Sequence, residues 1–278
     1  MKQILTLLLF LYISSVAFSQ TGEKLKGSKT VTVIEQPTAT FSSVFIQDDI
    51  QVSFIKADST GIEVEADDNL HQALKIANNS GSLNLSLNNK ISSYKKFEVK
   101  IYYTEALKSI EATDQSKLMI LDEMILGEIN FKLNKKAKLY LNLNAKIASI
   151  EMNDDAEMEL NAKSEKIHLI LTKNAAAKAL IATTELKVDQ YQKSKSVIEG
   201  DAIDLKLRMD NNAKFEGKNF TAKNAELLAE GYSKTSLFVE TTLLLNAFAN
   251  SEIELYGEPQ IQLKKFTGNA VLSKKTSK

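Results

Sequence analysis

The sequence contains no cysteine. Disulfide bonds and thiolate metal sites are therefore excluded, and so is the lipid-bearing cysteine that a bacterial lipoprotein carries after its signal region. An exported chain without disulfides must be held together by an apolar core, and 278 residues are enough to form a sizeable one.

Tryptophan is also absent, proline occurs twice, and Arg208 is the only arginine. The 35 basic residues are balanced by 35 acidic ones. A nucleic-acid-binding protein usually has a basic excess and uses arginine for bidentate contacts, so no nucleic-acid partner is expected. Because no proline-rich or serine-rich linker divides the chain, the sequence indicates a single main domain.

The N-terminus has the layout of a secretory signal peptide. Lys2 provides the positive charge, residues 4–18 form a short apolar run, and the small residues Ala17 and Ser19 precede Gln20. The run is shorter than the roughly 20 residues that a membrane-spanning helix needs, although an uncleaved anchor is the alternative. We expect cleavage between Ser19 and Gln20. The mature chain would then be a bacterial periplasmic, cell-surface or secreted protein without a transmembrane segment.

Apolar and polar residues alternate with a period of two in many segments. Examples are residues 83–88, 129–134, 139–144 and 203–209. Successive side chains of a β-strand point to opposite faces, so each segment predicts a strand with one buried face. The polar positions often hold Asn, Lys or Glu, which suits a solvent-exposed face.

A turn-forming residue, a small residue and then an apolar residue two positions later recur along the second part of the chain. The small residues are Ser116, Ala137, Ala156, Ala177, Ser196, Ala213, Thr235, Ser251 and Ala270, spaced by 21, 19, 21, 19, 17, 22, 16 and 19 residues. Each repeat also contains a second alternating segment. Repeats of about 20 residues with two short strands each predict an all-β fold, a parallel β-helix or β-solenoid, in which stacked coils bury one another's inner faces.

The turns before the small residues carry Asp or Asn, such as Asp114 and Asn211, which tolerate a left-handed backbone. A β-sandwich or barrel is the alternative all-β fold. Short helices are an alternative in three segments that are rich in helix-forming residues. These are residues 118–126, 174–186 and 222–230.

The chain before the regular repeats is organised differently. Its alternating segments have no fixed period, and residues 67–74 resemble a capped helical turn. We interpret this part as the start of the same solenoid, because an exposed solenoid end is an open sheet edge that needs cover. The predicted division is a signal peptide (1–19), an N-terminal segment (20–37), one β-helix domain (38–270, with a less regular start at 38–108 and regular repeats at 109–270) and a basic C-terminal tail (271–278).

Five segments of the first half follow one another in a recognisable order. They are residues 41–54 (FSSVFIQDDIQVSF), 62–70 (IEVEADDNL), 82–87 (SLNLSL), 97–103 (FEVKIYY) and 107–113 (LKSIEAT). Together they resemble the head GIN domain family of auto-transporter adhesins, over roughly residues 38–265. The resemblance implies a secreted or periplasmic right-handed parallel β-helix whose biochemical role is not established, and it brings no catalytic motif with it.

Candidate catalytic and metal-binding residues are few. The spacing of His71 and His168 does not support a metal site, so both are predicted to lie on the surface. Nucleophile-elbow, Walker A and dinucleotide-binding glycine motifs are absent from the sequence. We therefore predict no catalytic residue, metal ligand or cofactor. Three acidic pairs fall where the strand pattern breaks, which turn formation explains: Asp48-Asp49, Asp67-Asp68 and Asp154-Asp155.

One short motif concerns modification. Asp58-Ser59-Thr60 matches a sequence that some bacteria O-glycosylate on exported proteins, which makes Ser59 a candidate site. A plain turn before Gly61 explains the same residues without any modification.

Two functional hypotheses fit these observations. The first is a non-catalytic, adhesin-like envelope or cell-surface protein whose long flat sheet binds a glycan or an envelope protein. The second is a carbohydrate-active enzyme, either a polysaccharide lyase or a hydrolase, on a β-helix. A groove that holds two or more carboxylates within about 10 Å of one another would favour the enzyme.

Overall fold

The computed structural model of the chain describes residues 24–276. The fold is almost entirely β, with 69% strand and 2% helix, and forms a β-solenoid of about 9 turns with repeats of ~19 residues. The predicted all-β solenoid is therefore confirmed. No helix within residues 24–276 is long and apolar enough to cross a membrane. The predicted cleavage site at Ser19 and Gln20 lies outside the described residues.

Nine short strands and one helical turn form the N-terminal part. They are β1 Leu25–Lys26, β2 Val31–Pro37, β3 Ser43–Ile46, β4 Gln51–Lys56, β5 Gly61–Asp67, the 3₁₀ helix Asp68–Ala73, β6 Leu74–Asn79, β7 Ser82–Leu87, β8 Ile91–Ser93 and β9 Phe97–Tyr103. Strands β3 and β4 pair in parallel with β7 and β9, as in the coils that follow. Strands β2 and β6 instead pair antiparallel with β5 and β7, and β5 pairs antiparallel with β9.

Eleven further strands build the regular coils. They are β10 Ser109–Ala112, β11 Lys117–Leu133, β12 Lys138–Met152, β13 Glu157–Leu171, β14 Ala176–Gln190, β15 Lys195–Met209, β16 Lys214–Ala229, β17 Lys234–Ala247, β18 Glu252–Tyr256, β19 Gln260–Phe266 and β20 Val271–Lys274. The three segments for which short helices were an alternative lie in β11, β14 and β16 and their turns. None of them is helical.

Most coils contain one long strand rather than the two short strands predicted. Strands β12 to β15 each have 15 residues. The two alternating segments of β12 meet at a bend where two consecutive residues, Lys146 and Ile147, are exposed. The backbone keeps its pairing with the next coil through this bend, so the strand is not interrupted.

Adjacent coils pair in parallel and in nearly continuous register. Leu141 of β12 pairs with Leu160 of β13, which pairs with Ala179 of β14 and then with Ile198 of β15. Inward-facing side chains therefore stack on their equivalents in the next coil and form one continuous apolar core. Leu141 belongs to this core and is 3% exposed.

Every regular coil is joined to the next by a tight turn with one left-handed residue. These residues form a column with φ between 56° and 76°: Asp114, Lys135, Asp154, Lys173, Gln192, Asn211, Gly231, Ala249 and Gly268. Asp, Asn and Gly suit this conformation, whereas Lys135, Lys173 and Gln192 do not favour it. Backbone hydrogen bonds between successive turns stabilise it, such as Asp155 N–H to Lys135 O at 2.8 Å and Asn174 N–H to Asp154 O at 2.9 Å.

A small residue follows two positions after each left-handed residue of this column. In three repeats it lies two positions earlier than predicted: Ala175, Ser194 and Ser233 replace Ala177, Ser196 and Thr235. The predicted residues are also small and buried, which explains the error. The corrected spacings, 21, 19, 19, 19, 19, 20, 18 and 19, are more regular than those read from the sequence.

Three strands lie outside the predicted 38–270 domain: β1, β2 and β20. Strand β2 pairs with β5, and β20 pairs with β18, so backbone pairing extends into the N-terminal segment and into the C-terminal tail. Strand β20 continues the repeat, since Leu272 follows Ala270 by two positions, whereas β2 precedes the regular repeats. The division of the chain into functional segments stays a prediction.

Candidate functional site

The two histidines lie in different parts of the fold. His71 is in the 3₁₀ helix, with Nε2 2.9 Å from Thr32 Oγ1. His168 is on the outer face of β13, as predicted, with a side chain 32% exposed and Nε2 2.7 Å from Asp189 Oδ2. Among residues 24–276, no group of three or more histidine or acidic side chains could hold a metal ion.

Asp67 has a role that the sequence did not indicate. Its side chain is fully buried, and its carboxylate accepts N–H groups of Lys29 at 2.9 Å, Lys95 at 3.2 Å and Lys96 at 3.0 Å. Burial raises the pKa of Asp67, but the three hydrogen bonds lower it by more, so the pKa lies below its usual range. A side chain at Gly27 would collide with this carboxylate. Asp67 therefore links the N-terminal segment to the loop before β9 through hydrogen bonds.

The other two acidic pairs do form turns, since Asp48 and Asp154 have left-handed backbones. Asp48, Asp49 and Asp114 also line a recess of about 660 Å³ beside the first regular turn. Asp48 Oδ2 accepts the N–H of Leu87 at 2.8 Å, and Asp114 Oδ1 accepts a hydrogen bond from Lys135 Nζ at 2.6 Å. Two of the three carboxylates in this recess thus stabilise the surrounding turns.

A second group of depressions lies on the outer face of the regular coils. Three of them, of about 350, 510 and 460 Å³, adjoin one another along the first halves of β11 to β15. They share lining residues: Tyr140, Glu159, Lys178 and Val197 join the first to the second, and Leu121, Asn142, Asn161 and Leu180 join the second to the third. We call this continuous surface the trough.

The strand pairing is irregular at both ends of the trough. In β11, three exposed residues, Leu121, Asp122 and Glu123, occupy the space opposite Asn142 of β12, which makes a bulge. The register shifts again between β15 and β16, next to Gly200. Between these points, β12, β13 and β14 pair without a shift and form a continuous floor. Bulges often flank functional sites, because they redirect side chains from an otherwise uniform sheet.

The trough combines polar amides with exposed apolar side chains. Leu121, Asn142, Asn161 and Leu180 follow one another across four coils. The two leucines are 63% and 53% exposed. Asn142 Nδ2 donates a hydrogen bond to Leu121 O at 2.5 Å, which leaves its Oδ1 free, and the amide of Asn161 makes no hydrogen bond within residues 24–276.

Charged side chains occupy the neighbouring positions of the trough. Lys138 Nζ and Glu157 Oε2 form an ion pair at 2.6 Å. Glu159 lies two residues beyond Glu157 on the same face of β13. The ring of Tyr140 has the ammonium group of Lys117 5.3 Å from its centroid. The surface can therefore offer hydrogen-bond donors and acceptors, one aromatic ring and apolar contacts, without a strong net charge.

The sequence did contain a signal for the trough. In a half-buried strand, two consecutive apolar residues require that one of them points outward. Ile120-Leu121 and Leu180-Ile181 are such pairs, and in each the leucine is exposed while the isoleucine is buried. The 21-residue spacing between Ser116 and Ala137 likewise marked the inserted bulge.

Comparisons with known proteins agree with this architecture. The family model described as "Putative auto-transporter adhesin, head GIN domain" matches residues 40–179 and 130–259. No curated protein matches the chain significantly.

Several solved structures share the fold. A "putative adhesin" from Parabacteroides merdae ATCC 43184 is 14% identical with a TM-score of 0.65, over 91% of this chain and 99% of the other. A "putative adhesin" from Parabacteroides distasonis ATCC 8503 is 14% identical, with a TM-score of 0.63 over 91% and 98%. A "putative lipid binding protein" from the same strain is 13% identical, with a TM-score of 0.58 over 91% and 99%. At these identities the similarity shows the fold alone, whereas the family match covers most of the sequence. The chain belongs to the head GIN domain family.

Proposed function

We propose that this chain is a non-catalytic, exported envelope or cell-surface protein that binds an extended glycan along the trough. The observation that carries the proposal is the trough itself, a continuous surface on regularly paired strands that is bounded by irregular backbone at both ends. Solenoids present extended surfaces that suit extended ligands. The amides of Asn142 and Asn161 and the ring of Tyr140 are side-chain types that bind sugar hydroxyls and sugar faces.

Binding to immobilised and soluble polysaccharides tests this proposal. We expect the purified chain to bind at least one envelope or extracellular glycan, and Tyr140→Ala to weaken that binding about tenfold, the loss expected when a partly buried aromatic contact is removed. Lys187→Ala, on the other half of a coil, is the matched control and should bind normally. Capture of a protein by the trough in place of any glycan would support the envelope-protein alternative.

A carbohydrate-active enzyme is the second candidate, because Glu157 and Glu159 share one face of β13. Residues two apart in a strand lie about 7 Å from one another, which is within the range of paired glycosidase carboxylates. Lys138 already engages Glu157, which favours a structural use of that carboxylate. Turnover of a polysaccharide that is lost in both Glu157→Gln and Glu159→Gln would establish the enzyme in place of the binding protein.

Export is supported by the N-terminal sequence and by the adhesin-like family. We expect the mature protein to begin at Gln20 in the periplasm, at the cell surface or in the medium. Mass spectrometry of the N-terminal peptide from fractionated cells tests this directly. A chain that retains Met1 in the cytoplasm would refute it.

Ser59 is proposed as an O-glycosylated residue. It lies in the exposed turn between β4 and β5, next to exposed Asp58. Thr60, by contrast, is 9% exposed and donates a hydrogen bond from Oγ1 to Thr38 O at 3.0 Å, so it is not available. Intact-mass measurement of protein from its native host should show a sugar that Ser59→Ala removes and Thr60→Ser retains.

A further inference from the structure

The polar groups of the trough are arranged in a way that selects among glycans. Asn142 and Asn161 are adjacent in register and lie about 4.8 Å apart, the spacing of neighbouring strands. Among residues 24–276, Asn142 Oδ1 accepts no hydrogen bond, and Asn161 has both its oxygen and its NH₂ group available. An amide group can donate and accept at once, so the ligand group that pairs best with it is another amide.

Apolar side chains lie directly beside these amides. Leu121 precedes Asn142 and Leu180 follows Asn161, with both leucines more than half exposed. The distance between the two leucines is about 14 Å, which is three times the spacing of neighbouring strands. The site therefore suits a ligand group in which an amide lies next to a methyl, and a sugar that carries only hydroxyl groups has no such group. An acetamido substituent has both in four heavy atoms.

An extended peptide also carries amides, but the trough does not suit it. Peptides usually bind a sheet by adding a strand at a free edge, where backbone N–H and C=O groups are unpaired. Strands β13 and β14 are paired on both sides along the trough, and β12 is paired on both sides except at Asn142, where the Leu121 carbonyl of the bulge already accepts a hydrogen bond from Asn142 Nδ2. Only side chains remain to recognise a ligand there, which favours a glycan.

We infer that the trough binds a polysaccharide whose sugars carry acetamido groups. The acetamido N–H and C=O pair with the side chains of Asn142 and Asn161, and the acetamido methyl contacts Leu121 or Leu180. Tyr140, two residues before Asn142 on the same face of β12, lines the same surface and adds an aromatic contact for a sugar ring. This inference rests on the proposed function and specifies its ligand class.

The test compares three tetrasaccharides that differ at one position of each ring. They are tetra-N-acetylchitotetraose, its fully deacetylated form and cellotetraose, measured by isothermal titration calorimetry against the whole chain. We expect the acetylated form to bind about tenfold more tightly than cellotetraose, because one or two hydrogen bonds and a methyl contact are lost with the acetamido group. The deacetylated form, which is cationic, should also bind weakly.

Two variants locate the site. Asn161→Ala should lower affinity for the acetylated form about fivefold to tenfold, while affinity for cellotetraose changes little. Asn130→Ala removes an exposed asparagine from the other half of a coil and should leave binding unchanged. Both side chains point outward, so thermal unfolding of the variants should match that of the parent and rule out misfolding.

Each other outcome overturns the inference in a distinguishable way. Equal affinity for all three sugars would refute the acetamido preference but leave glycan binding in place. A preference that survives Asn161→Ala would place the site elsewhere. Tightest binding by the cationic form would assign recognition to Glu157 and Glu159. Absence of binding to any glycan would refute both this inference and the proposed function.

Discussion

The two ends of the solenoid cover their cores to different extents. At the N-terminal end, antiparallel strands, a 3₁₀ helix and the Asp67 carboxylate close the stack, and Leu70 is 0% exposed. In the last described coil, Ile261 and Leu263 occupy inward positions of β19, paired with Leu243 and Leu245 of β17. They are 41% and 55% exposed, whereas both partners are 0% exposed.

Burial in this solenoid therefore depends on the neighbouring coil. Leu245 and Leu263 are the same residue type at the same position of the repeat, yet within the described part of the chain only Leu245 has a coil on both sides. Stability is then close to a sum of contributions from adjacent coils. Substitutions of inward-facing residues should lower the free energy of unfolding most in the middle of the stack and least in the last coil. The N-terminal end should unfold separately from the regular coils when the contacts of Asp67 are lost.

The largest effect is expected in the middle of the stack. Leu141→Ala should lower the free energy of unfolding by about 2–5 kcal/mol, because it leaves a cavity between two coils. Leu141→Asp should lower it further, since it buries an unpaired charge. Asn142→Ala, one residue along on the outer face, is the control. Urea denaturation measures all three, and equal losses for Leu141→Ala and Asn142→Ala would contradict the assignment of faces.

A direct comparison of two coils should give the next largest difference. Leu245→Ala should cost about 2–5 kcal/mol in the free energy of unfolding, as expected for a fully buried leucine. Leu263→Ala should cost less than about 1 kcal/mol, because little buried contact is lost at an exposed position. Similar losses for the two variants would mean that Leu263 is covered in solution by another molecule or segment.

The N-terminal end can be tested through pH. The folded-state pKa of Asp67 is below its usual value, so the stability that this carboxylate adds is present above the unfolded-state pKa of about 3.9. It is lost as pH falls through the lower folded-state pKa. Hydrogen exchange at decreasing pH should therefore show residues 24–36 losing protection before the regular coils.

Asp67→Asn gives the matched control for this pH effect. Its NH₂ group replaces one of the two accepting oxygens, so the N–H of Lys29 or of Lys96 loses its acceptor and the same segment should exchange faster at neutral pH as well. The acid-dependent loss of protection should then disappear. If protection in the variant still fell with pH as in the parent, another group would be responsible.

The smallest effect is expected at Ser194. Its hydroxyl is buried without a hydrogen-bond partner among the described residues, and the equivalent positions of the adjacent coils are Ala175 and Ala213. Ser194→Ala should therefore stabilise the chain by about 1 kcal/mol or less, since an unsatisfied polar group is removed. Thermal unfolding measures this change. A clear destabilisation would indicate a bound water at this position.

The alternating segments, their buried faces and a repeat of about 20 residues could be read from the amino-acid sequence alone. Alternation has a period of two only in strands, so Leu139, Leu141 and Leu143 had to share one face whatever the rest of the chain did. The helical turn at Asp68–Ala73 and the left-handed turns at Asp114, Asp154 and Asn211 also followed from local preferences.

Which residues of different coils meet could not be read from the sequence, because it depends on how the coils stack. The left-handed backbones of Lys135 and Gln192 come from hydrogen bonds with adjacent turns rather than from their own preferences. Asp67 is ionised and buried because N–H groups from two distant segments converge on it. The trough likewise arises from stacking, since Asn142 and Asn161 are 19 residues apart in sequence and neighbours only in register. Contacts between coils depend on register, and register is set by the whole stack rather than by any one repeat.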